Sequence, residues 1–180
     1  MYKQEFIVDT DSLIKLTKSG IIKEVCKHFK CSITEEVYDE AVTKGKIALH
    51  KDAFEIEELI NKNLIKIMGK KEEETLETMN LGKGETSTFA LYKKAKGMIV
   101  TDDNTFINFL KSNIMKNNIF QDTKNQRFFR ETEFMVPADF LVLMRNLKKI
   151  NSAKALSYLG NIKPHIKPKV YLSIKRILEG

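Results

Sequence analysis

The 180-residue sequence predicts an α/β protein: a three-layer α/β/α sandwich around a mostly parallel sheet, with a helical C-terminal extension. Three observations predict it. Short apolar runs alternate with stretches of helical periodicity, the order that builds a parallel sheet with helices on its faces. The runs are continuously apolar, as strands buried on both faces are. Two of them, Phe6-Ile7-Val8 and Met98-Ile99-Val100, stop abruptly on acid, at Asp9 and at Asp102-Asp103. Ligands of open α/β sheets bind just outside the carboxyl ends of the strands.

In order, the first strand gives way at 12–18 to Leu13, Ile14 and Leu16 at helical spacing, Gly20 breaks the helix, and 21–29 resumes it. Residues 30–33 read as a short strand. Thr34 is placed to cap a helix over 35–44, with Glu35 and Glu36 in the first turn and Val37 and Ala41 on an apolar stripe. That helix sets Glu36 and Glu40 on one face. A helix over 52–62 and a strand over 64–68 follow, then a mixed-charge run, Lys70-Lys71-Glu72-Glu73-Glu74, read as a solvated loop or helix start.

The motif Leu81-Gly82-Lys83-Gly84-Glu85-Thr86 precedes a helix predicted over 86–96, and Gly97 closes it before the strand 98–100. A helix starts at 105–110. Residues 112–133 are polar, Asn-rich and read as irregular, and contain Lys124-Asn125-Gln126-Arg127-Phe128-Phe129-Arg130. A last strand over 134–136 leads through Pro137 to a helix over 138–149, and two amphipathic helices near 152–159 and 168–178 flank a turn over 161–168. The division is a body over 1–148 and a basic helical extension over 149–180 packed on the same domain.

With 42% hydrophobic residues the chain can bury one substantial core, and no stretch approaches the roughly 20 apolar residues that span a bilayer. MYKQEF lacks a signal-peptide core, so the expectation is a cytoplasmic protein with no membrane partner. Cys26 and Cys31, with His28 between them, fall short of a four-ligand zinc set and read as ordinary thiols. His28, His50 and His165 share no spacing with a nucleophile and read as surface or packing residues. The charge of +7 is uneven: residues 141–180 carry nine Lys/Arg against Glu179 alone, +8, which leaves −1 for the rest. A neutral body with a basic tail suggests an anionic partner; a solvated Lys-rich helical surface is the alternative.

Four places supply carboxylates: Asp9 with Asp11, Glu40, Glu85, and Asp102 with Asp103. Taken singly, Asp9 and Asp103 could cap the helices that follow them, Glu40 could sit on an exposed acidic face, and Glu85 could complement a helix dipole. Converging on one pocket they would repel unless cations lay between them. Mg²⁺ or Mn²⁺ suits all-oxygen ligands, and such ions hydrolyse phosphodiesters by activating water and stabilising the leaving oxygen, without a covalent intermediate.

The ordered set of the strand into Asp9-Thr10, Val37-Tyr38-Asp39-Glu40, Gly82-Lys83-Gly84-Glu85 and Ile99-Val100-Thr101-Asp102-Asp103 resembles a PIN-domain nuclease over roughly 5–145. The small C-terminal helices are similar to those of the VapC-like, toxin-type group. The resemblance implies a metal-dependent endoribonuclease cutting single-stranded RNA, often a toxin held by an antitoxin protein; separately, an apolar face on the helices of 12–29 or 138–178 could serve a homodimer. It makes Asp9, Glu40, Glu85 and Asp103 catalytic and metal-binding, with Asp102 beside them. Thr101 matches the small hydroxyl residue before the acidic pair. Two departures stand out: Asp11 replaces the usual Ser or Asn, where it either caps the first helix, the preferred reading, or strengthens metal binding, and 112–133 is long for the family. Thr101, Lys124, Arg127, Phe128, Phe129 and Arg130 are candidates for nucleic-acid contact, the aromatics by stacking and the bases by phosphate pairing; two Phe tucked into the core beside solvated Arg is the alternative.

Two other classes compete. In a haloacid-dehalogenase-type phosphatase, Asp9-x-Asp11 would supply nucleophile and general acid and Asp102-Asp103 would bind Mg²⁺. That reading explains Asp11 but leaves Gly-x-Gly-Glu85 idle and meets Leu13 where Thr or Val is preferred. A non-catalytic RNA- or protein-binding module keeping the fold is the third reading, against which the full acidic set argues.

Overall fold

The computed structural model describes residues 5–69, 81–95, 97–114 and 134–180. Five strands, β1 (Glu5–Val8), β2 (Lys30–Ile33), β3 (Ile65–Ile67), β4 (Met98–Val100) and β5 (Phe134–Met135), form one sheet in the order β3-β2-β1-β4-β5, and every pairing is parallel. Strands β1 and β4 are apolar along their buried length, whereas β2 carries Ser32 at its centre and the edge strand β3 exposes Lys66. Phe6, Ile7, Val8 and Ile99 have no solvent exposure beyond 1%.

The chain winds leftward from β1 through β2 to β3, then crosses back to lay β4 on the other side of β1. The reversal lies between β1 and β4, where Val8 pairs with Val100. Such a switch point opens a crevice, because the connections leaving the two strands diverge to opposite sides.

Side chains alternate across the sheet. Phe6, Val8, Met98 and Val100 enter a large cluster with the helices α1 (Thr10–Lys18), α2 (Ile21–His28), α5 (Lys51–Asn61) and α8 (Asp139–Asn146), where Phe6 meets Phe29 and Phe140 edge-on at 5.2 and 4.8 Å. Ile99 faces the other way, to Phe89, Phe106 and Leu110 of α6 (Lys83–Ala95) and α7 (Asn104–Ile114). The three layers are thereby complete. The C-terminal helices α9 (Ser152–Ile162) and α10 (Pro168–Glu179) share the large cluster through Ala155, Leu159, Ile162, Ile174 and Leu178. Lys154 also donates to the buried Glu24 of α2 at 2.8 Å.

Several boundaries differ from those predicted. Helix α3 (Glu35–Tyr38) passes into a π-helical turn (Asp39–Lys44) and a short α4 (Gly45–Ile47), so the 35–44 helix is not regular. Helix α6 starts at Lys83 rather than 86, because Gly82 and Glu85 close a cap there. Helix α7 runs to Ile114, so 112–114 are helical and not irregular. Helix α9 continues to Ile162 and α10 starts at Pro168, so the predicted 161–168 turn narrows to 163–167 and opens with a 3₁₀ turn (Lys163–His165). The expectations for 70–74 and for 115–133, including Lys124, Arg127, Phe128, Phe129 and Arg130, lie outside the described residues. No helix among the described residues is long and apolar enough to cross a membrane.

Candidate active site

A pocket of about 260 Å³ opens at the carboxyl edge of the sheet beside the β1–β4 switch point, lined by Asp9, Thr10, Asp11, Glu40, Gly82, Gly84, Glu85 and Asp103. Among the described residues its lining holds five carboxylates and no cation.

Asp9 is the most constrained. Its N–H continues the ladder to the Val100 carbonyl (3.1 Å), and its extended backbone makes it the cap of α1, with Oδ1 accepting the Ser12 N–H at 2.7 Å. At 4% exposure its carboxylate has little water, and burial pushes its pKa up to about 6; the Asp102 charge adds a little, while Ser12 and Thr101 favour the ionised form. Among the described residues the Ser12 hydroxyl closes no hydrogen bond within normal geometry, and it lies close enough to Asp9 to favour the ionised form.

Glu40 arrives from the π-helical turn. Such turns carry an extra residue and re-aim the side chains that follow. Glu40 Oε2 accepts the Thr10 hydroxyl at 2.7 Å, which ties it to the residue after Asp9. Gly84 makes room: a Cβ there would stand 2.8 Å from Glu40 Oε2 and 3.1 Å from Thr10 Oγ1. Glu85 reaches back to the Gly82 N–H at 2.7 Å, the reciprocal half of a capping box. Its pKa is raised, first by burial and then by the charges of Asp103 and Asp11.

Asp103 caps α7, with Oδ1 accepting the Phe106 N–H at 2.8 Å. The capping roles of Asp9 and Asp103 and their place in the pocket are therefore not alternatives. One oxygen holds a helix, and the carboxylate still borders the pocket.

Three expectations are corrected. Asp11 does not cap the first helix, since Asp9 does; Asp11 is exposed in the first turn and lines the pocket. Asp102 is not in the pocket lining, because Lys15 Nζ holds its Oδ1 at 2.6 Å. Thr101 is fully buried and cannot touch a nucleic acid; its hydroxyl accepts the Asp103 N–H at 3.2 Å and lies against Asp9, so it positions both. Thr10, Gly84 and Lys15 went unremarked in the sequence. Thr10 and Gly84 had a signal, since both stand inside the quoted motifs. Lys15 had none.

A family model described as a PIN domain matches residues 5–114, which include every residue lining the pocket. The chain belongs to the PIN domain family. No curated protein and no solved structure matches it. PIN domains are generally metal-dependent nucleases, so this PIN domain has a nuclease fold. The match gives no support to a phosphatase, and the 4% exposure of Asp9 is a poor setting for a nucleophile.

The lining of this PIN domain fits a divalent cation by donor chemistry: hard oxygens, several negative charges and raised proton affinity at Asp9 and Glu85. Among the described residues, no three acidic, His or Cys side chains form a group that could hold an ion as they stand. Four of the five carboxylates, Asp9, Glu40, Glu85 and Asp103, are instead engaged by the protein, through Ser12, Thr10, Gly82 and Phe106.

Proposed function

We propose that this PIN domain is a Mg²⁺- or Mn²⁺-dependent endoribonuclease for single-stranded RNA. The observation that carries the reading is the pocket at the β1–β4 switch point, where carboxylates from four separate chain segments meet without a compensating cation in the described lining. Asp9, Glu40, Glu85 and Asp103 would hold the ion. When bound, a divalent cation supplies Lewis acidity toward a phosphodiester oxygen and acidifies water.

The chain's own residues do the rest. The Ser12 N–H and Thr101 orient Asp9, Thr10 orients Glu40, the Gly82 N–H orients Glu85 and the Phe106 N–H orients Asp103, so none of the four is left to choose a rotamer at the moment of binding. Burial of Asp9 and of Glu85, and then the crowding of Glu85 by Asp103 and Asp11, raise the free energy of the ionised set, which an incoming cation relieves. Lys15 keeps Asp102 out of the lining and limits the negative charge a phosphate must approach.

The test is cleavage of a labelled unstructured RNA with and without Mn²⁺. Asp9→Asn should lower the rate by about 10²-fold or more, and undiminished cleavage would sink the reading. A role as a VapC-like toxin is part of the proposal. It predicts an adjoining reading frame whose product binds this protein and inhibits the cleavage; an adjoining product that binds and leaves cleavage unchanged removes the toxin role and keeps the nuclease.

A further inference from the structure

We infer that the lysines around the amino-terminal end of α10 form the track that holds the phosphate backbone of the RNA beside the acidic pocket. The inference rests on the nuclease reading and adds a binding surface that lies outside the matched residues 5–114.

The link is Lys167. Its Nζ donates to Asn104 Oδ1 at 2.8 Å, and Asn104 directly follows Asp103, a residue of the pocket lining. The basic C-terminal segment, distant in sequence, is thus brought to the rim of the site. Lys163, Lys167 and Lys169 are all exposed there. Among the described residues Lys167 is engaged only by the neutral Asn104 amide, and Lys163 lies over the Tyr171 ring at 5.2 Å. Among the described residues neither Lys167 nor Lys169 has a carboxylate partner within ion-pair distance. Helix α10 adds to the same potential: its first turn holds no acid, and no side chain caps it.

The charge complementarity is specific to this edge. The pocket lining is anionic and repels a phosphodiester, so a strand can be held there only by cations placed next to it. Lysines at the other edge of the sheet serve as a contrast. Helices α2 and α5 run into β2 and β3, which puts Lys27 and Lys62 at the amino ends of the strands, and both are paired, with Glu24 and Glu58.

The experiment measures binding of a fluorescein-labelled single-stranded RNA 20-mer to the full chain in EDTA, across a salt series, and then cleavage kinetics with Mn²⁺. Lys167→Ala/Lys169→Ala should weaken binding about tenfold and flatten the slope of log K against log salt by about 1.4, close to 0.7 per lost phosphate contact on a single strand. Lys27→Ala/Lys62→Ala, the same loss of charge, should bind as wild type. Under Mn²⁺ the first variant should raise KM and leave kcat within about twofold, as loss of ground-state binding does. Lys169→Ala alone keeps the Lys167–Asn104 bond and should give part of the effect, which separates the track from local packing. Equal affinity and slope for the two double variants overturns the track, even where Asp9-dependent cleavage stands and an acidic protein proves to bind the lysines instead. RNA binding lost in the first variant with no cleavage by wild type supports the track and removes the nuclease reading.

Discussion

Asp9 carries three duties on one residue: its N–H extends the ladder to β4, Oδ1 caps α1, and its carboxylate borders the pocket. The third has a stability cost in the metal-free protein. Its folded pKa of about 6 stands above its ordinary 3.8, so the folded chain binds the proton more tightly than the unfolded one. The stability from that proton is fully present below about pH 4 and is lost as pH rises through about 6. Asn is an equally good cap and has no charge to lose. In EDTA at pH 7, Asp9→Asn should therefore melt above wild type, by on the order of 1–3 kcal/mol, and the gap should close by pH 4. Added Mn²⁺ should raise the wild-type Tm and leave the variant unmoved. A variant that tracks wild type across pH and Mn²⁺ refutes the assignment of Asp9.

At the scale of elements, the site depends on a π-helical turn that aims Glu40 and on a glycine that lets it in. Gly84→Ala places a methyl 2.8 Å from Glu40 Oε2, the far end of a flexible side chain. Glu40 can swing aside cheaply, and Ala gains helix propensity over Gly of up to about 1 kcal/mol. Unfolding in urea should hardly change while cleavage falls about tenfold or more; full activity in Gly84→Ala would show that Glu40 is not needed where it stands. Element positions were largely legible, since Thr34 caps α3 as its residue type predicts and each apolar run became a strand. The π turn was not. Nothing in Asp39–Lys44 signals an extra residue, because the distortion comes from packing Ala41 and Val42 into the core while Thr10 pulls Glu40 toward the pocket.

Across the whole molecule, Glu24 and Lys154 join α2 to α9 over 130 residues of chain. The Lys154 ammonium, and then the Lys27 charge and His28, hold Glu24 below the usual carboxylate range against the cost of its burial. A depressed pKa contributes stability above the unfolded value of 4.5 that is lost as pH falls through the folded one. Wild type should exceed Glu24→Gln in Tm at pH 7, with the gap narrowing below about pH 4.5; a gap constant down to pH 3 would mean that the carboxylate contributes by packing alone. Lys167, which reaches Asn104, follows α9 in the chain, so docking the C-terminal segment also sets the charge beside the pocket.

The acidic strand ends, the helix caps and the basic tail are properties of residue type and order, and the sequence by itself determined them. Which of two adjacent acids faces the pocket was decided only in three dimensions. Past the end of β4, Asp102 and Asp103 turn to different surroundings. One meets Lys15 and the other the pocket. That division is set by the register of β4 against β1 and β5 and by the burial of Thr101, and these follow from pairing partners about 90 residues before and 35 residues after. Asp11 follows the same logic in reverse. Its spacing suited a cap, but the residue that ends the strand takes the cap, and Asp11 is turned outward to the pocket rim.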